Sequence, residues 1–287
     1  MIILLTNDDG IHAPGLSALY HALKPDHQIH IVAPESEMSA VGHAITLTSP
    51  LRVQEVHKNG SFYGYAVTGT PADCVKIALQ ELLKSPPDVI LSGINLGANV
   101  GVNILYSGTV SAATEGAFLG VPSAAISLAT LKDPDFGFAA QFSKAIIRFL
   151  ITSGLGDGTA LNVNIPAIPP DEITGVCITR QGTARFEERF ESRTDPRGNV
   201  YYWLSSERFQ GEGNADDDFI ALRQKKITIT PIHYDLTSMT ELEKLRSLPF
   251  PSELLHHSTS NPQRPVKPSL PQVNSGEPQP VSRKRGG

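Results

Sequence analysis

Cysteine is scarce: Cys74 and Cys177 lie far apart in a 287-residue chain, outside any CxxC pair or metal-type spacing. Both sit among apolar neighbours, which predicts two reduced, packed thiols rather than a disulfide scaffold. Long hydrophobic runs are missing too, and none approaches the ~18 residues of a membrane span. The first residues lack a basic segment and their apolar run is too short for a secretory signal, so the expectation is a cytoplasmic protein with no membrane partner. Charge of one sign is not in excess: the net charge of −5 gives no general pull toward a nucleic-acid duplex. A small anionic substrate would therefore need a local device, either a metal or oriented backbone amides. The remainder is an ordinary globular composition, 40% hydrophobic and 18% charged, in a chain long enough to bury a substantial core.

Apolar runs and helical patterns alternate along the chain. Ile2 to Leu5 read as a strand, and Pro14 opens a helical face with Leu16, Leu19, Tyr20 and Leu23. Gln28 to Ala33 form a second strand, and Ile45 to Val67 read as strand and hairpin around Asn59-Gly60. A helix from Pro71, a buried strand from Asp88 to Ile94 and a helix near 109–119 follow. PSAAISLA is a further strand, then comes a long helix with Phe138, Phe142, Ala145, Ile146 and Phe149 facing inward, then a strand at Asn162 to Ile165. This alternation predicts a three-layer α/β/α fold around a doubly wound, mostly parallel, Rossmann-like sheet. Residues 173–210 suggest an antiparallel hairpin extension, Asp216 to Leu222 a short helix, Lys226 to His233 a strand and 238–246 a helix. One domain is expected over 1–248, and the Pro- and Ser-rich 249–287 are expected to be disordered.

The chemistry gathers where strands end. The first strand stops at Asn7, Asp8, Asp9 and Gly10, and adjacent strand residues serve one centre only if the chain turns, which Gly10 permits. Two carboxylates there suit a hard divalent cation, although Asn-Asp-Asp-Gly is also ordinary turn chemistry. Open parallel sheets bind ligands outside the carboxyl ends of their strands. Residues 35–42 and Asn95 follow the next two buried strands, so Ser39 and Asn95 can add neutral oxygens to Asp8 and Asp9. The loop from Gly93 to Gly101 is too Gly-rich to be helical and suits close backbone approach to a ligand. Ser107, Gly108 and Thr109 then enter a helix, either as a plain cap or as a phosphate seat built from free amides and hydroxyls.

LLTNDDG, the Ser39 loop with GHAIT, GTPADCV at 69–75, the SGIN run at 92–101 and YSGTV at 106–110 resemble the stationary-phase survival protein E family of acid-phosphatase-like 5′/3′-nucleotidases. The likeness continues through DFIAL and ITITPIHYDLT to about residue 245, with Ser111 standing where Gly is expected. It implies a metal-dependent nucleoside monophosphate phosphatase with ligands at Asp8, Asp9, Ser39 and Asn95. It also implies a homodimer or homotetramer in which the C-terminal portion, with the 185–210 hairpin as natural candidate, is exchanged or docked between subunits.

The expected reaction is hydrolysis of a phosphomonoester, with one Mg²⁺ or Mn²⁺ per subunit at Asp8, Asp9 and Asn95. Amides near Gly108 and Thr109, with Asn99, would hold the remaining phosphate oxygens. In a variant, Asp8 or Asp9 attacks phosphorus directly. His12 and His43 are the alternative acids or bases near the site. The rivals are a magnesium-binding receiver domain, which would need an acceptor Asp where this chain has Asn95, and a nucleotide sensor without turnover.

Overall fold

The computed structural model describes residues 1–183, 185–210 and 213–249, with side chains placed outside 185–188 and 206–210. The sequence expectation of a tail from residue 249 falls almost wholly outside these residues. One compact unit runs from Met1 to Leu236. A second begins at Thr237, and within it Met239–Arg246 form a helix capped by the Ser238 side chain.

Six strands carry the parallel heart of the first unit: β1 (Ile2–Thr6), β2 (Gln28–Pro34), β4 (Ser61–Val67), β5 (Val89–Leu96), β6 (Ser123–Ala129) and β7 (Thr159–Pro166). Two flanking pieces run the other way: β3 (Val53–Lys58) against β4, and β11 (Lys226–His233) against β7, with β8 (Gly175–Ile178) beyond it. The full order is β3-β4-β2-β1-β5-β6-β7-β11-β8. The winding direction reverses between β1 and β5, which opens a crevice at their carboxyl ends.

The two faces are covered by different helices, as alternation along the strands requires. Ile3 and Leu5 of β1 join Leu16 and Leu19 of α1 (Pro14–Leu23) and Ile146 of α4 (Gly137–Thr152). Leu4 points the other way, into a cluster with Val75 of α2 (Pro71–Ile77) and Ala112 of α3 (Gly108–Phe118). A short helix, α5 (Asp218–Arg223), precedes β11. Strands β9 (Arg185–Thr194) and β10 (Val200–Gln210) form a separate antiparallel hairpin.

Several local expectations need correction. Residues 45–52 lie outside the strands, and the hairpin is confined to 53–67, where Asn59 and Gly60 both take positive φ as a tight turn demands. The buried stripe of α4 is Ala139, Ala140, Ser143, Ile146, Ile147 and Leu150, while Phe149 is 39% exposed and Ala145 is also exposed. Small residues on that face let α4 approach its neighbours closely, and the bulky rings are displaced to its border. The Gly-rich stretch is not all loop, because β5 continues through Leu96 with a register shift between Gly93 and Asn95. Gly93 allows this at φ +136°, where a Cβ would lie 2.3 Å from the Ile126 carbonyl oxygen of β6.

Candidate active site

The chain turns at Asn7–Gly10 directly after β1. Asn7 Nδ2 donates to the Gly10 carbonyl at 3.0 Å, and Gly10 adopts φ +96°. Because β2 and β5 are the parallel neighbours of β1, residues 35–42 and the end of β5 at Asn95 lie at the same edge of the sheet. The Met38 amide donates to the Asp8 carbonyl at 2.7 Å, and the Gly42 amide to the Tyr106 carbonyl at 2.9 Å. These two bonds pin the Ser39 loop to the β1 turn on one side and to the approach to α3 on the other.

Asp8 is 5% exposed and accepts the Thr109 hydroxyl on Oδ1. Burial raises its carboxyl above the ordinary range even though Thr109 donates through both hydroxyl and amide. Asp9 is pushed up to about 6, by burial first and then by the charges of Asp8 and Glu37, while it accepts a bond from the Leu96 amide. Among the described residues, no Lys or Arg pairs with either carboxylate. Two adjacent, desolvated acids without a basic partner are costly as anions unless a cation joins them.

The surrounding donors are hard oxygens. Asn95 Nδ2 donates to the Gly97 carbonyl at 2.8 Å, which leaves its Oδ1 as the acceptor on offer. The exposed Ser39 hydroxyl donates to Glu37 Oε1 at 2.5 Å and retains its lone pairs. Asp8, Ser39, Asn95, Asn99 and Ser107 line one cleft of about 820 Å³, whose apolar lining includes Leu96, Tyr106, Leu131 and Phe219. Among the described residues no three His, Cys, Asp or Glu side chains cluster as a metal site. A cation here would have two carboxylates and neutral oxygens, a set suited to magnesium or manganese and poor for a soft metal.

Several of the expected phosphate-binding groups are engaged within the protein. Ser107 Oγ accepts the Val110 amide at 3.1 Å and so is a helix cap. Thr109 spends hydroxyl and amide on Asp8 and so holds that carboxylate. The Gly108 amide keeps a first-turn position without an intrahelical acceptor. Ser111, where Gly was expected, donates back to the Ser107 carbonyl at 2.7 Å. Asn99 gives one amide hydrogen to Ser127 Oγ at 2.9 Å, leaving one for a ligand.

Among the described residues, neither histidine pairs with Asp8 or Asp9. His12 is exposed and outside the cleft lining. His43 Nε2 meets Glu115 Oε2 of α3 at 2.7 Å, and Lys76 of α2 holds the other oxygen at 2.9 Å. Sequence reasoning missed Asn162 and Asn164 of β7, which lie fully buried beneath Asn99 and bond to its backbone. Two asparagines spaced by two inside an apolar strand were the available signal.

Residues 3–188 match the family model described as Survival protein SurE. A protein of Syntrophus aciditrophicus named 5′-nucleotidase SurE is 55% identical over 249 residues, covering 86% of this chain and 94% of its own. One of Syntrophobacter fumaroxidans with the same name is 52% identical over 245 residues, covering 85% of this chain and 98% of its own. The crystal structure of the SurE protein from Aquifex aeolicus superposes with a TM-score of 0.73 at 39% identity, covering 86% of this chain and all of that one. With a family model across well over half its length and relatives half identical over nearly their whole chains, this protein belongs to the SurE family.

Proposed function

We propose that the site hydrolyses nucleoside 5′-monophosphates, and 3′-monophosphates, to nucleoside and phosphate with the help of one divalent cation, Mg²⁺ or Mn²⁺, per subunit. The observation that carries this reading is the Asp8–Asp9 pair: two desolvated carboxylates at a strand end, without a basic partner, of which Asp8 lines with Asn95 a cleft large enough for a nucleotide. The SurE relatives named as 5′-nucleotidases support it. Asp8, Asp9, Ser39 and Asn95 would hold the cation. When bound, it supplies Lewis-acid neutralisation of the transferring phosphoryl group. Thr109 fixes the rotamer of Asp8, and the Leu96 amide holds Asp9. The Gly108 amide and the remaining Asn99 amide hydrogen face the phosphate oxygens. Phosphate release from AMP with Mg²⁺, with Mn²⁺ and with neither tests the reading, and silence with every metal overturns it.

Self-association through the β9–β10 hairpin is part of the same reading. Phe190, Tyr202 and Trp203 are largely exposed on it, an apolar display that a single subunit gains nothing by showing to water. Both cysteines are free, which supports a reducing, cytoplasmic setting. No described helix is long and apolar enough to cross a membrane.

A further inference from the structure

The segment Asn99–Gly101 lines the cleft through Asn99 and Val100, and its main chain is gripped from two sides by side chains that do not reach the cleft. From β7, Asn164 Oδ1 accepts the Asn99 amide at 2.7 Å, and Asn164 Nδ2 donates to the Asn99 carbonyl at 3.0 Å. Asn162 Nδ2 adds a second donor to that carbonyl at 2.7 Å. On the other side, Asp218 Oδ2 of α5 accepts the Gly101 amide at 2.9 Å, and Gln181 Nε2 donates to the Gly101 carbonyl at 2.9 Å. Asn162, Asn164 and Asp218 are each 0% exposed.

Burying three such groups is unfavourable unless their bonds are made, and aliphatic residues would pack the β7 positions without that cost. Asn162 even leaves its own Oδ1 buried without a partner while its Nδ2 serves the Asn99 carbonyl. Asp218 is equally committed, since the Gly101, Gly182 and Phe219 amides that meet it are all donors. A sheet that needed only stability would not hold this set. We infer that Asn164 and Asp218 are positioning residues for the reaction, clamping Asn99–Gly101 from both ends so that the Asn99 side chain is preorganised in the cleft. The inference rests on the phosphomonoesterase reading for its catalytic consequence and on the hydrogen bonds alone for the clamp.

The test compares Asn164→Ala and Asp218→Asn with Val163→Ala, which empties the opposite face of the same strand. Three quantities are read: thermal midpoint, kcat and KM for AMP with Mn²⁺ well below the midpoint, and amide hydrogen exchange. Val163→Ala lowers the midpoint and leaves kcat unchanged. Asn164→Ala and Asp218→Asn lower kcat by about 10²-fold, the cost of roughly an ångström of misplacement, with faster exchange concentrated in residues 97–103. Should Asn164→Ala fail to fold, Ser127→Ala removes only the 2.9 Å tether on the Asn99 side chain and is expected to lower kcat in the same direction. Wild-type kcat in the folded variants, or exchange raised equally along β7, overturns the inference. If the wild-type protein releases no phosphate with any metal, the function reading falls and the exchange pattern alone decides the clamp.

Discussion

A β-carbon on Gly108 would lie 2.7 Å from Cβ of Asp8 and 3.0 Å from its Oδ2. The first turn of α3 is therefore seated against the carboxylate, and glycine is what lets it come so close. Gly108→Ala improves local helix propensity yet forces Asp8 or the helix to shift, with Pro71 Cγ also in the way at 3.1 Å. The expected result is a folded protein whose kcat/KM for AMP falls by about 10²-fold. Unchanged kcat/KM would show that the contact is slack.

Cation binding should be visible without turnover. A ligand present at 100 times its Kd stabilises the folded state by about 2.7 kcal/mol, or roughly 5–10 °C in midpoint for a domain of this size. Mg²⁺ or Mn²⁺ is expected to raise the wild-type midpoint on that scale and to leave the midpoint of Asp8→Asn unmoved, and calorimetric scans of both proteins check it. An equal rise in the variant would place the cation elsewhere.

Glu115 links the Ser39 loop to two helices and should leave a mark on acid stability. Burial raises its carboxyl, but the hydrogen bonds and charges of His43 and Lys76 outweigh it and hold the group below its ordinary value. A carboxyl depressed by folding contributes stability above its unfolded value, about 4.3, and loses it as pH falls through the folded value. Glu115→Gln is thus expected to be less stable than wild type at pH 7, with the difference shrinking below about pH 4.3. Urea midpoints from pH 3 to 7 measure this, and parallel curves would refute it.

Trp203 is the chain's single tryptophan and is 59% exposed on the hairpin. If the hairpin joins subunits, its emission is blue-shifted in the assembled protein and moves red on dilution to monomer. Trp203→Ser should shift the light-scattering mass toward the monomer while the metal response of the site persists. A water-exposed spectrum at every concentration would remove the hairpin from the interface.

Much of the candidate site was legible because its residues punctuate apolar runs. Asp8, Asp9 and Ser39 follow β1 and β2, Asn95 lies at the end of β5, and the topology brings those three strand ends together. Thr109 was visible as a helix start but not as a hydroxyl committed to Asp8, since its partner lies far away in sequence. Asn162, Asn164 and Asp218 escaped notice because they act on main chain from inside regular elements, where polar residues carry no turn signature. The inward face of α4 was misjudged for a related reason: side-chain bulk marked the rings, whereas helix packing selected the alanines.

The place of β11 in the sheet also sets an order of assembly. Among the described residues it is the last strand to be synthesised, yet it lies between β7 and β8, pairing Thr228 with Asn164 and Thr230 with Asn162. A nascent chain that has reached residue 225 already holds Asp8, Asp9, Ser39, Asn95 and both asparagines, but the edge of β7 is still open to water and to other strands. Closing it waits for residues 226–233, whose partners in β7 lie some sixty or more positions earlier in the chain. Interruption of translation in that interval would release a product with the proposed cation-binding residues and an unprotected sheet edge, the form most exposed to aggregation and proteolysis.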